Sequence, residues 1–217
     1  MKLCIIENCN KDHFGLGYCI KHYKQFKRYG EIPKRTRRDA NEFIIDGDIC
    51  WVILYDKNNK EKTRAKFLSI YYNQICNPKL KWHLHNYGYV GAIWTDENNI
   101  QQHIFLHEAI IQLSDQEIPD GYEIDHKDGN KLNCLDNNLR ICTKSQNGQN
   151  RGKNKNNTSG YKGVTWDKAC KKWHVRITIN NQEINLGNFK EIEEAAETYN
   201  SAALKYHGEF AVLNNIV

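Results

Sequence analysis

Two strongly basic stretches without a core-forming pattern break this chain into blocks. They are Pro33-Lys34-Arg35-Thr36-Arg37-Arg38 and the Lys- and Asn-rich run from Asn150 to Ser159. The first reads as an extended arm and the second as a flexible linker. A chain of 217 residues cut in this way builds small domains, each short of the apolar surface that a self-sufficient core needs. The apolar run Trp51-Val52-Ile53-Leu54-Tyr55, seven residues with Ile49 and Cys50 before it, falls far short of the about 20 residues of a membrane-spanning helix. No membrane partner is expected. Glu7 falls where a signal peptide would carry its apolar core, so a cytoplasmic location is expected. The eight Cys then read as thiols or metal ligands rather than disulfides.

The formal charge of +5 hides a division. Residues 1–40 hold ten Lys and Arg against four Asp and Glu, and residues 151–176 hold eight against one. The rest of the chain is acidic. Basic ends suit a polyanion, and an acidic middle suits a metal cation.

Near the N-terminus, Cys4, Cys9, Cys19 and His22 form C-x4-C-x9-C-x2-H. Two short-spaced pairs of soft donors suit tetrahedral Zn²⁺, with His13 as an alternative ligand whose spacing fits neither pair. A closed site of four protein ligands is structural, and the metal would supply folding free energy that so small a block lacks. Residues 42–100 read as scaffold: a strand over 49–55, a turn at Asp56-Lys57-Asn58-Asn59, helical spacing over 67–76, and strands at 82–85 and 87–94.

The most informative stretch is Ile124-Asp125-His126-Lys127-Asp128-Gly129-Asn130, followed by Asn133, Asn138-Leu139-Arg140 and Asn147. Asp125 is a hard oxygen donor for Mg²⁺. His126 can take a proton from water at neutral pH. Strand alternation points these two side chains to opposite sides, so metal and water can be served separately. Thr143-Lys144-Ser145-Gln146 matches a capping box and sets the start of a helix. Thr143, Asn147, Asn150 and Arg151 share one face of that helix. Asp128 is expected to serve the turn, and Cys134 and Cys142 to be core thiols.

This pattern, D-H-x-D-G-N-x-x-N followed by N-L-R and N, resembles the HNH (ββα-metal) endonucleases of phage and intron homing type. The resemblance implies His126 as general base and Asp125 with Asn147 as ligands of one divalent metal, Mg²⁺ or Mn²⁺. It implies Asn138 as the brace that orients His126, double-stranded DNA as partner, and 5′-phosphate and 3′-hydroxyl ends as products. No small-molecule substrate is expected. The chain is expected to act as a monomer, inside a cell that hosts a phage or mobile element.

Beyond residue 160, three β-rich runs precede an alanine-rich helix. Tyr161-Lys162-Gly163-Val164, Trp173, Leu186-Gly187-Asn188-Phe189, Glu194-Ala195-Ala196 and Tyr199-Asn200-Ser201-Ala202-Ala203 resemble the APETALA-type (ethylene-responsive-factor) DNA-binding domain. That family implies a three-stranded antiparallel sheet on one helix, with the sheet in the major groove. Thr165 and Asn185 replace a family Arg and Trp, so the family's target sequence should not carry over. Expected DNA contacts are Lys34, Arg35, Arg37, Arg38, Arg140, Arg151, Lys162, Trp166, Lys168, Lys172, Arg176 and Thr178.

The expected fold is α+β: a zinc knuckle (1–30), a basic linker (31–41), a ββα-metal nuclease domain (42–151, core about 101–151), a second linker (152–159), and a C-terminal sheet-and-helix domain (160–217). A DNA-binding regulator built on the same fold, without cleavage, is the rival expectation.

Overall fold

The computed structural model of the chain describes residues 3–6, 9–32 and 39–216. The fold is α+β and divides into two compact units, Met1–Ala40 with Tyr55–Glu61, and Asn41–Leu54 with Lys62–Val217.

Among the described residues of the first unit, only Cys4 and Cys19 are buried. Its helix α1 (Ile20–Tyr29) ends at Gly30, whose φ of 76° allows the backbone N–H to close on the Phe26 carbonyl. Among the unit's described residues, Phe14 packs on Tyr23 and Tyr18 on Phe26, at 5.3 and 5.4 Å between ring centres. At the hairpin tip, Asp56 Oδ1 accepts from the N–H groups of Asn58 and Lys60, at 2.8 and 2.9 Å. That is the turn its Asp-Lys-Asn-Asn sequence implies.

The second unit opens with β1 (Phe43–Asp46), β2 (Ile49–Tyr55) and β3 (Glu61–Leu68), a sheet in that order. Helical spacing over 67–76 is only partly realised. Phe67 and Leu68 finish β3, a 3-10 turn covers Ser69–Tyr71, and α2 is confined to Tyr72–Ile75. The reason is pairing further along the chain: Lys66 N–H donates to the Leu132 carbonyl at 2.9 Å, and Cys134 N–H donates to the Lys66 carbonyl at 2.8 Å. Backbone pairing there outweighs helical propensity, and it ties β3 to the 127–134 loop.

Next come β4 (Lys81–Leu84), β5 (Val90–Thr95) and β6 (Gln101–Phe105), an antiparallel sheet whose last strand runs straight into α3 (Leu106–Leu113). Leu54, Phe67, Ile75, Trp82, Val90, Leu106 and Ile110 are among the residues of one shared core. Each large side chain so buried contributes about 1.5–3 kcal/mol.

On that core sits a hairpin, β7 (Tyr122–His126) and β8 (Leu139–Thr143), followed by α4 (Lys144–Gln149). The capping box forms: Gln146 N–H donates to Thr143 Oγ1 at 3.3 Å, and Thr143 N–H donates to Gln146 Oε1 at 2.8 Å. The chain closes with β9 (Val164–Asp167), β10 (Lys172–Ile179) and β11 (Gln182–Phe189), an antiparallel sheet ordered β11-β10-β9. Helix α5 (Ile192–His207) packs on it through Ala195, Tyr199, Ala202 and Ala203. Asn180 and Asn181, with φ of 49° and 64°, make the β10–β11 turn. At Gly163, with φ of 76°, an added Cβ would lie 2.1 Å from the Tyr199 ring, so only glycine fits.

Candidate active site and metal site

Asp125 and Arg140 are direct cross-strand partners in the β7–β8 hairpin. Arg140 donates through Nε and Nη2 to Asp125 Oδ2, at 2.9 and 2.7 Å. Both side chains are almost fully buried, 9% and 6% exposed. From the other side, Asn150 Nδ2 donates to Oδ1 and Oδ2 of Asp125 at 2.9 and 3.0 Å, and to the His126 carbonyl at 2.9 Å. Asn147 was expected beside Asp125. Its Nδ2 instead donates to Glu123 Oε2 at 2.6 Å. Helix α4 and its C-cap residue Asn150 thus meet β7 in two rungs, Asn147 on Glu123 and Asn150 on Asp125.

His126 points to the opposite face, as alternation requires. It lies with its ring 5.2 Å from His107 and 6.0 Å from Tyr89, and with Nε2 3.8 Å from the Cys134 thiol. Burial pushes its pKa down to about 4, opposed by the carboxylates of Asp125 and Asp128 and helped by Lys131. The ring is therefore neutral at pH 7 and able to accept a proton. Only 4% of the residue is exposed, so the base has a narrow approach. His107 is buried beside it, with its pKa down to about 3 and Nδ1 without a hydrogen-bond partner.

Asn138 braces the loop and does not touch the imidazole. Its Nδ2 donates to Asp128 Oδ1 and to the Asn133 carbonyl, at 3.0 and 2.8 Å, and its Oδ1 accepts from Asp128 N–H at 3.1 Å. Its carbonyl accepts from Lys127 N–H at 2.9 Å, which holds the chain just past His126. Asp128 also accepts from Asn133 Nδ2 at 2.7 Å. Burial alone would raise its pKa; the bonds from Asn133, Asn130 and Asn138 outweigh it and lower it. This carboxylate serves the turn.

Two carboxylates, Glu123 and Asp125, and two carboxamides, Asn147 and Asn150, therefore line one side of β7. All are hard oxygen donors of the kind Mg²⁺ and Mn²⁺ prefer. Oδ1 of Asp125 is free of Arg140, and turning either carboxamide over would present its oxygen. The donor set fits a divalent cation. Glu123 was not singled out in the sequence. The signal was there, since it lies two residues before Asp125 on the same strand.

Among the described residues, one group of soft donors meets: Cys4, Cys9, Cys19 and His22, with ligand atoms all within 4.8 Å of one another. Cys9 and Cys19 sulfurs lie 3.8 Å apart, and His22 Nδ1 lies 3.2 Å from Cys4 and 3.5 Å from Cys19. A tetrahedron of sulfurs about 2.3 Å from zinc has edges of about 3.8 Å. The donor set fits Zn²⁺. His13 Nε2 is occupied by the Gly17 N–H at 2.9 Å. Cys134 and Cys142 are buried thiols, pushed up to about 12 and about 11 by burial.

The expected DNA contacts separate. Lys34, Arg35, Arg37 and Arg38 lie outside the described residues. Arg140 is turned inward onto Asp125, because the hairpin register sets it opposite that carboxylate. Lys162 is half-buried and donates to the Gln149 carbonyl at 2.6 Å; burial lowers its pKa to about 8. Trp166 pairs with Trp173 in the sheet register, so it shares the face of Val175 and Ile177 and not that of Arg176. Its ring lies 4.9 Å from that of Trp173. Lys172, Arg176 and Thr178 alternate along the outer face of β10, with Arg176 in an exposed ion pair with Glu183 at 3.2 Å. Lys168 sits exposed in the β9–β10 turn, and Arg151 is exposed just past α4. Arg151, Lys162 and Arg176 line one open cleft of about 690 Å³ together with Lys144 and Lys153.

No helix among the described residues is long and apolar enough to cross a membrane. A family model described as HNH endonuclease matches residues 106–149. An uncharacterised HNH endonuclease of Acanthamoeba polyphaga mimivirus is 30% identical over 190 residues, 88% of this chain and 94% of the relative. Protein 3.8 of Escherichia phage T7 is 35% identical over 105 residues, 48% of this chain and 86% of the relative. An AP2-like ethylene-responsive transcription factor of Arabidopsis thaliana is 43% identical over 58 residues, 26% of this chain and 10% of the relative.

Proposed function

The chain belongs to the HNH endonuclease family, and on that premise we propose that it is a divalent-metal-dependent endonuclease that cuts double-stranded DNA at a specific site, in the manner of a homing endonuclease. The observation that carries this reading is the division of labour on β7. Asp125 faces Asn150 beneath α4, and neutral His126 faces away.

In this reading His126, unprotonated at pH 7, takes the proton of the attacking water. With Nε2 against Cys134, Nδ1 is the nitrogen for that proton. Asp125, with the carboxamides of Asn147 and Asn150, would hold one Mg²⁺ or Mn²⁺. When bound, that cation neutralises charge on the scissile phosphate and the leaving 3′-oxygen. Asn138 keeps the 127–133 loop in register so that His126 stays at the end of β7.

The remaining parts serve recognition. Residues 1–30 form a knuckle around Zn²⁺, held by Cys4, Cys9, Cys19 and His22. Residues 31–41 and 152–159 are linkers, and 42–151 is the nuclease domain. Residues 160–217 act as an APETALA-type module that lays the face of Lys172, Arg176 and Thr178 in the major groove. The likeness to the plant factor and the sheet on one helix support this. Recognition spread over several tethered modules permits a long target. The protein acts as a monomer, on DNA inside a cell.

Two observations favour a second reading, a DNA-binding regulator without cleavage: His126 is nearly covered, and Asp125 is neutralised by Arg140. A supercoiled plasmid library with random inserts separates the two. Nicks that need Mg²⁺ or Mn²⁺, stop in EDTA and map to one sequence support the enzyme. Sequence-specific binding with no cut under any of these metals supports the regulator.

A further inference from the structure

Arg140 is held by three residues, Asp125, Glu209 and Phe210, and the last two come from the C-terminal domain. Its Nε and Nη2 grip Asp125 Oδ2. Its Nη1 donates to the Glu209 carbonyl at 2.8 Å and approaches the Glu209 carboxylate at 3.4 Å. The guanidinium carbon lies 3.6 Å from the centre of the Phe210 ring. Glu209 and Phe210 belong to the 3-10 turn Gly208–Phe210, which follows α5 of the C-terminal sheet domain. Lys162, from the same domain, caps the end of α4 through the Gln149 carbonyl.

We propose that Arg140 is a positioning residue for Asp125 and that the turn Gly208–Phe210 is its seat, so that the cation site is complete only while the C-terminal domain is docked on the nuclease hairpin. This rests on the reading of Asp125 as a metal ligand. A planar guanidinium fixes both the place and the plane of a carboxylate that it grips with two N–H groups. Here both bonds go to Oδ2, which leaves Oδ1 free of Arg140 and turned toward the Asn150 carboxamide at the end of α4. Phe210 and the Glu209 carbonyl fix the guanidinium in turn, through its face and its far edge. Recognition by the sheet and chemistry at the hairpin thereby share one side chain.

The test uses the zinc-loaded full-length chain, with bound Mn²⁺ counted from the loss of the free-ion spin-resonance signal. Arg140→Lys and Phe210→Leu both keep the positive charge, so a change reads geometry. Arg140→Lys is expected to lower Mn²⁺ affinity on the order of 10-fold, and Phe210→Leu about 3-fold. Far-UV circular dichroism and metal-free DNA binding should stay as in the wild type. Mn²⁺ affinity unchanged in both variants, with Asp125→Ala abolishing it, overturns the positioning role and leaves the nuclease reading standing. No Mn²⁺ site in the wild type, or one indifferent to Asp125→Ala, overturns both.

Discussion

Asn150, not Asn147, is the helical carboxamide on the Asp125 carboxylate, touching its two oxygens at 2.9 and 3.0 Å. Asn147 sits one rung away on Glu123. Asn150→Ala removes the contact to Asp125 and the bond to the His126 carbonyl together. It should lower the rate of DNA nicking by about 10- to 100-fold, the range for groups that orient metal ligands. Asn147→Ala tested in parallel shows whether the second rung also matters. Full activity in Asn150→Ala would leave Asn147 as the helical ligand.

The proposed knuckle makes the first unit's folding depend on zinc at Cys4, Cys9, Cys19 and His22. Cys9→Ala should lose bound zinc and the α1 helix signal while the main thermal transition of the nuclease unit stays within a degree or two. Zinc binding is folding energy for so small a block, worth about 10–16 kcal/mol in comparable peptides. Elemental analysis of the wild type should give one zinc per chain. None at all would remove the knuckle assignment.

His107 and His126 make folding sensitive to acid. Their folded pKa values, about 3 and about 4, lie below the ordinary 6.5. Below pH 6.5 the unfolded chain binds protons that the folded chain refuses, so stability falls as pH falls toward 4. Above 6.5 neither ring contributes a slope. Each ring adds at most about 1.4 kcal/mol per pH unit in that window. Denaturant midpoints from pH 4.5 to 7.5 should show this rise, and His107→Gln should flatten it. An unchanged slope in that variant would mean that His107 is solvated.

Gly163→Ala should unfold or loosen the C-terminal sheet domain. The added Cβ meets the Tyr199 ring at 2.1 Å in a left-handed backbone position, a combination that costs on the order of 1–3 kcal/mol. A separate, earlier melting transition and weaker DNA binding are expected. Wild-type melting would show that Tyr199 gives way.

Much of this arrangement was legible in the sequence, and the failures share a cause. Asp125 and His126 could be put on opposite faces because alternation is local, and Thr143 could be read as a cap because Gln146 stands three residues on. Rotation of α4 about its axis is set by packing on β7, so Asn147 and Asn150 could not be told apart. Arg140 reads as a surface cation until the hairpin register sets it against Asp125. Trp166 reads as groove-facing until pairing with Trp173 fixes its side. Strand β3 hides behind Glu61-Lys62-Thr63-Arg64; only Ala65 and Phe67 enter the core. Register and rotation are tertiary properties, and no spacing in one strand or helix carries them.

The most direct test is cleavage by wild type and His126→Ala, side by side, on a DNA that both bind, with Mg²⁺ and with EDTA. Wild type should cut only with the metal and leave 5′-phosphate ends, and His126→Ala should bind equally and cut at least about 100-fold more slowly. Equal cutting by the two proteins would contradict the role of His126, and metal-independent cutting would contradict the role of Asp125.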